Sequence, residues 1–154
     1  MNQGKPVKPT SSSPGRPSGL SYLIGRLDRL ISKRLKQALA PLGLTVGQYT
    51  VLSVFRAYGH MSNAQLAERS LISPQSANEM VNLMEQRGWI CRRPEDTRGR
   101  VIPIGLTPEG EALMTRCDAE VNAIEDELMK GLGDDEFWHL HGGLRALVRL
   151  LRAH

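Results

Sequence analysis

The chain has 154 residues, 40% hydrophobic and 23% charged, with a formal net charge of +4. That balance suits one packed domain, and no apolar run approaches the ~20 residues that would make a membrane span. Two cysteines, Cys91 and Cys117, fit a reducing compartment without structural disulfides. The first residues lack the apolar core of a secretory signal, so a cytoplasmic protein is expected. The charge is uneven along the chain. Residues 1–17 carry three bases and no acid, residues 18–37 five bases and one acid, and residues 107–154 five bases and ten acids. A basic front and an acidic back suit a molecule that meets a polyanion with one end; ordinary solvated helix faces are the plain alternative.

Residues 1–17 are rich in Pro, Ser, Gly and Lys and have almost nothing to bury, which predicts a disordered basic arm. From Ser18 to about Ala40, apolar residues from Leu20 to Leu39 repeat at three- and four-residue steps, the pattern of an amphipathic helix. Arg26, Arg29, Lys33, Arg34 and Lys36 line much of its other side, and Pro41 and Gly43 end it. Thr45 with Gln48 forms a capping box for the next helix, which buries Tyr49, Leu52, Val54 and Phe55 and stops at Gly59.

The organising stretch is Met61–Thr107: a short strand, a helix, a tight turn, a second helix and a two-stranded hairpin. Ser62 with Gln65 caps the first of these helices, and Leu71-Ile72 makes the turn. Ser73 caps the second helix with Pro74 at its first position, where a missing N–H costs nothing. That helix runs to about Arg87 and stops at Gly88. Ala77, Met80, Val81 and Met84 form its apolar face. The opposite face carries Gln75, Asn78, Glu79, Asn82 and Gln86. Amides can pair bidentately with adenine and a glutamate can accept from cytosine, so this face suits reading base edges, with Ser73, Gln75 and Ser76 in or beside the first turn. A merely solvated face is the competing reading. Residues 89–93 and 100–106 are β-like runs joined by a polar turn, and Pro103 requires the second to be an edge or bulged there. An arginine on the tip, Arg98 or Arg100, can enter a narrow minor groove, with Asp96 holding the guanidinium.

The run Leu66-Ala67, Arg87-Gly88-Trp89-Ile90, Arg92-Arg93-Pro94, Asp96-Thr97-Arg98 and Leu106-Thr107-Pro108-Glu109-Gly110 resembles the MarR family of winged-helix transcription regulators. The resemblance extends from about Leu20 to the C-terminus. It departs from the family at Glu79 and Leu83, where a basic residue is common, and in the spacing around Asp96, so either Arg98 or Arg100 fits the wing-tip position.

Thr107 caps a long helix with Pro108 at its first position, and Glu109 and Glu111 suit its positive end. Its stripe is Leu113, Cys117, Val121, Ile124, Leu128 and Leu132. A last helix starts at Asp134 with a stripe of Phe137, Leu140, Leu144, Leu147, Val148 and Leu151. The first, fifth and sixth helices carry more apolar stripe than one small winged helix can cover, and a two-fold dimer would bury it. The resemblance implies the same assembly.

The expectation is therefore a mainly α protein with a small β-hairpin wing. It is one domain over residues 18–154, with dimerisation helices at 18–40 and 107–154 around a winged helix-turn-helix at 45–106. The resemblance implies a homodimeric, sequence-specific transcriptional regulator of repressor type on a palindromic operator of double-stranded DNA. A winged helix kept only for protein interaction is the alternative. Phosphate-loop, nucleophile-elbow and zincin motifs are missing, so no enzyme, metal or cofactor is expected. His139 and His141 lie two apart on a helix and point about 200° from one another, so they cannot chelate together. Tyr22, Tyr49, Tyr58 and Trp89 either line a pocket for a small aromatic effector or are ordinary core aromatics. Cys91 and Cys117 are either redox sensors or inert buried thiols.

Overall fold

The computed structural model describes residues 19–93 and 102–153. The expected basic arm, the hairpin turn and the wing residues Asp96, Arg98 and Arg100 lie outside the described residues. The chain divides into two units, residues 1–33 and residues 34–154.

In the first unit the described residues form the greater part of α1 (Leu20–Leu39). Leu20, Leu23, Ile24, Leu27 and Leu30 along it are all exposed. The second unit begins with the end of α1, where Leu39 is fully buried. One turn of 3-10 helix (Ala40–Leu42) follows and ends at Gly43.

α2 (Val46–Tyr58) starts on the expected capping box: Thr45 Oγ1 accepts from the Gln48 N–H at 3.2 Å and Gln48 Oε1 accepts from the Thr45 N–H at 3.0 Å. α3 (Asn63–Ser70) repeats the device with Ser62 and Gln65. α4 (Pro74–Gln86) is capped by Ser73, whose Oγ accepts from the Ser76 N–H at 3.0 Å. Each cap satisfies amide groups that the first helical turn leaves without partners. α3 ends on Leu71, which holds a left-handed conformation (φ 54°) with its side chain 73% exposed. A non-glycine residue there is strained by its Cβ.

The hairpin pairs β1 (Ile90–Arg92) with β2 (Ile104–Leu106) antiparallel, with Cys91 opposite Gly105. Met61 bonds to the other side of Ile104 in both directions, at 3.0 and 2.9 Å, a one-residue bridge where a short strand is expected before α3. Pro103 falls just outside β2. It lacks an N–H but offers its carbonyl, which accepts from the Arg93 N–H at 2.9 Å. α5 (Pro108–Leu132) and α6 (Asp134–Arg152) complete the chain.

The core of the second unit gathers Leu52, Phe55, Leu66, Val81, Met84, Ile90 and Met114, all almost completely buried. The apolar face of α4 supplies Ala77, Val81 and Met84 to it, so its amide face is left pointing outward. Arg56 on α2 forms a two-pronged pair with Asp118 on α5 at 2.7 and 2.9 Å, which raises the guanidinium pKa further. α6 contributes no buried residue; Phe137, Leu144 and Leu147 are half-buried and Leu140, Val148 and Leu151 exposed.

Thr107 joins the hairpin to α5. Its N–H donates to the Trp89 carbonyl at 3.0 Å, its Oγ1 donates to the Gly88 carbonyl at 2.5 Å, and the same oxygen accepts from the Gly110 N–H at 3.0 Å. The approach is so close that a Cβ on Gly110 would lie 2.1 Å from the Trp89 carbonyl oxygen. Backbone cannot retreat as a flexible side chain can. Gly110→Ala is therefore expected to destabilise the fold by about 1–3 kcal/mol, the usual range for overpacking. Thermal denaturation followed by circular dichroism checks this, and an unchanged midpoint would contradict the close approach.

Candidate nucleic-acid interface

α3 and α4 are held as a helix-turn-helix by one side chain in particular. Asn63 Nδ2, at the first position of α3, donates to the Pro74 carbonyl in the first turn of α4 at 3.1 Å. Its Oδ1 is buried without a partner among the described residues. Packing of Leu66 and Ala67 against Ala77 and Val81 in the same core fixes the remaining freedom between the helices.

The face of α4 turned to solvent carries Gln75, Ser76, Asn78, Glu79, Asn82 and Gln86, all exposed, together with Leu83. Ser73 is exposed beside them. This is the set expected from helical spacing, and the structure brings it onto one surface. The side chains are already ordered among themselves. Ser73 Oγ and Ser76 Oγ are 2.9 Å apart, and Gln75 Nε2 donates to Glu79 Oε1 at 3.1 Å. Glu79 is therefore tied to its own helix rather than reaching out freely.

Arg92 carries part of the family resemblance but was not among the candidate DNA-contacting residues, yet it joins two residues of α4. Its Nη2 donates to Asn82 Oδ1 at 2.8 Å, its guanidinium forms an ion pair with Glu85, and its backbone N–H donates to Glu85 Oε1 at 3.3 Å. The hairpin root is thus bolted to the last turns of α4. Spacings of ten and seven residues across a turn carry no periodic signal, so sequence offered no way to find the contact.

No basic residue lies within α4 itself. Cations sit around it instead. Arg87 at its end stacks over Trp89 at 5.1 Å, and Arg69 at the end of α3 lies 4.0 Å over the Tyr58 ring. Long cations laid on aromatic faces keep their charge at the surface while their stems stay ordered. Of the aromatic residues considered for an effector pocket, Tyr49 and Trp89 pack against the core, Tyr58 lies exposed under Arg69, and Tyr22 is exposed on α1. Among the described residues no group of His, Cys, Asp and Glu is placed to hold a metal ion, and no single helix is long and apolar enough to cross a membrane.

Residues 42–100 match the MarR family. The HTH-type transcriptional repressor Rv2887 of Mycobacterium tuberculosis is 31% identical over 113 residues, which span 73% of this chain and 81% of that protein. The structure of Rv2887 in complex with DNA is similar to this one with a TM-score of 0.70 at 27% identity, covering 85% of this chain and 98% of that one. Its complex with salicylic acid gives a TM-score of 0.69 at 28% identity, covering 85% and 97%.

The two thiols differ sharply in setting. Cys117 is fully buried in the core, and burial, reinforced by the neighbouring Asp118 charge, pushes its thiol pKa up. Cys91 on β1 is only half-buried. The thiolate is the reactive form, so Cys91 should be alkylated first by iodoacetamide at neutral pH and Cys117 only on unfolding. Mass spectrometry of timed reactions checks the order; early modification of Cys117 would contradict it.

Proposed function

The chain belongs to the MarR family, and from that premise we infer how it works: it is a DNA-binding regulator of transcription in which α4 enters the major groove. The outward amide face of α4, held in place by Asn63 and the α4 core contacts, is the observation that carries this reading. Ser73, Gln75, Ser76, Asn78, Glu79 and Asn82 form the reading surface, and Arg98 or Arg100, oriented by Asp96, supplies the wing contact to the minor groove or backbone. The similarity to a repressor solved with DNA supports this over a winged helix kept only for protein interaction. The protein acts in the cytoplasm as a repressor and carries out no catalytic step.

The working unit is a homodimer on a palindromic operator. Residues 18–40 and 107–154 supply the dimerisation helices around a DNA-binding part at 45–106, in one domain over residues 18–154. The support is the row of exposed apolar side chains on α1 and the α6 stripe that one copy leaves uncovered. A two-fold axis lets the same surface bury itself twice. A small aromatic acid releases the protein from DNA, a reading that rests on the similarity to a relative solved with salicylic acid.

Three measurements test this. In gel shifts at several salt concentrations, the wild-type chain should bind the duplex upstream of its own gene more tightly than a scrambled duplex, and salicylate should weaken that complex. Equal binding to both duplexes would favour the interaction-module alternative. Asn78→Ala should weaken the specific complex by about 1–3 kcal/mol and alter the preferred base. The double substitution Leu23→Glu with Leu30→Glu, at positions 51% and 55% exposed, should turn a dimer into a monomer in sedimentation at micromolar concentration. A wild-type monomer under those conditions would overturn the assembly.

A further inference from the structure

An asparagine side chain has two unlike ends. Its oxygen accepts hydrogen bonds and its nitrogen donates them. Used together, the two ends match adenine, which shows an acceptor and a donor in the major groove. Guanine shows two acceptors there, N7 and O6. Which base an asparagine favours therefore depends on whether both of its ends are available.

At Asn82 the oxygen end already has a partner. Arg92 Nη2 donates to Asn82 Oδ1 at 2.8 Å. A guanidinium has donors only, so the amide cannot face it nitrogen-first, and chemistry alone fixes which end of Asn82 meets the arginine. Arg92 is itself held. Its guanidinium pairs with Glu85, its N–H donates to the same carboxylate, and its backbone is paired in β1 opposite Ile104. Glu85 lies on the same helix as Asn82, so hairpin root and helix form one closed set of contacts. Asn82 is exposed on the reading face, with Nδ2 as the end not engaged by Arg92.

We propose that Arg92 is a specificity-determining positioning residue: by occupying Asn82 Oδ1 it makes Asn82 a donor to the major groove, so that the base read there is guanine rather than adenine. The inference rests on the proposed reading of DNA by α4. It gives the hairpin a part in base choice at a distance from any contact the wing itself makes.

The test begins with an operator selected from a random duplex pool by the wild-type protein. Each base pair of a half-site is then varied symmetrically, and binding is titrated for the wild type and for Asn82→Ala, Asn82→Asp and Arg92→Met. Arg92→Met keeps the apolar stem and removes the donors; Asn82→Asp keeps the partner of Arg92 and removes the donor to DNA. At the base pair whose preference Asn82→Ala abolishes, the wild type should favour guanine over adenine by about tenfold. Asn82→Asp should lose that preference, and Arg92→Met should reduce or reverse it while binding to scrambled DNA follows only the lost charge. A purely structural role for Arg92 would weaken all duplexes and leave the base ranking intact, which would overturn the proposal. So would an adenine preference in the wild type at that pair, or an Asn82→Ala variant with unchanged ranking at every pair. Failure of the wild type to select any sequence would instead overturn the DNA-reading function from which the proposal starts.

Discussion

Thr107 is the residue from which the DNA-facing half of the chain hangs. One hydroxyl and one amide tie the end of α4, at Gly88 and Trp89, to the first turn of α5. The contact is possible only because Gly110 has no side chain where the Trp89 carbonyl sits. The hairpin leaves from Trp89 and returns at Leu106, immediately before Thr107, so its root is fixed on both strands. With the root fixed, Arg92 has a constant position from which to meet Glu85 and Asn82. Loosening the threonine would release the helix end, the hairpin and the start of α5 together.

The outward face of α4 is short of cations. α4 carries acids at Glu79 and Glu85 and no base. Cations stand around it instead, at Arg69 and Arg87, and the N-terminal end of α4 is itself positive. On the proposed reading of DNA by α4, charges at the edge give salt-dependent, sequence-independent attraction and neutral amides in the centre discriminate between bases. Glu79 within this face is kept from projecting freely. Gln75 Nε2 donates to its carboxylate and keeps it against the helix.

What could be read from the sequence was local. Four helix starts, at Thr45, Ser62, Ser73 and Thr107, were legible because a cap and its partner lie three residues apart and the chemistry requires little else. The two faces of α4 were legible from periodicity, since the residues that reach the core recur at helical steps. The hairpin was legible in kind, although β2 is shorter than the β-like run because the strand begins only after Pro103, and the strand expected at Met61 is a single bridge to Ile104. Contacts between elements were not legible. The Asn63 bond to Pro74, the Arg56 pair with Asp118 and the Arg92 cluster each join residues whose separation follows no repeat. The left-handed Leu71 was equally hidden, because leucine is among the residues least suited to that conformation.

The last helix has a consequence for how the chain comes into being. Nineteen residues of α6 contain not one that is buried. A helix held by a few half-buried side chains is marginal in water on its own, since its nucleation is unfavourable. When a second copy covers the exposed remainder of its stripe, at Leu140, Val148 and Leu151, holding α6 in place and joining two chains are linked by mass action. The grip on the C-terminal helix would then tighten as the concentration of chains rises.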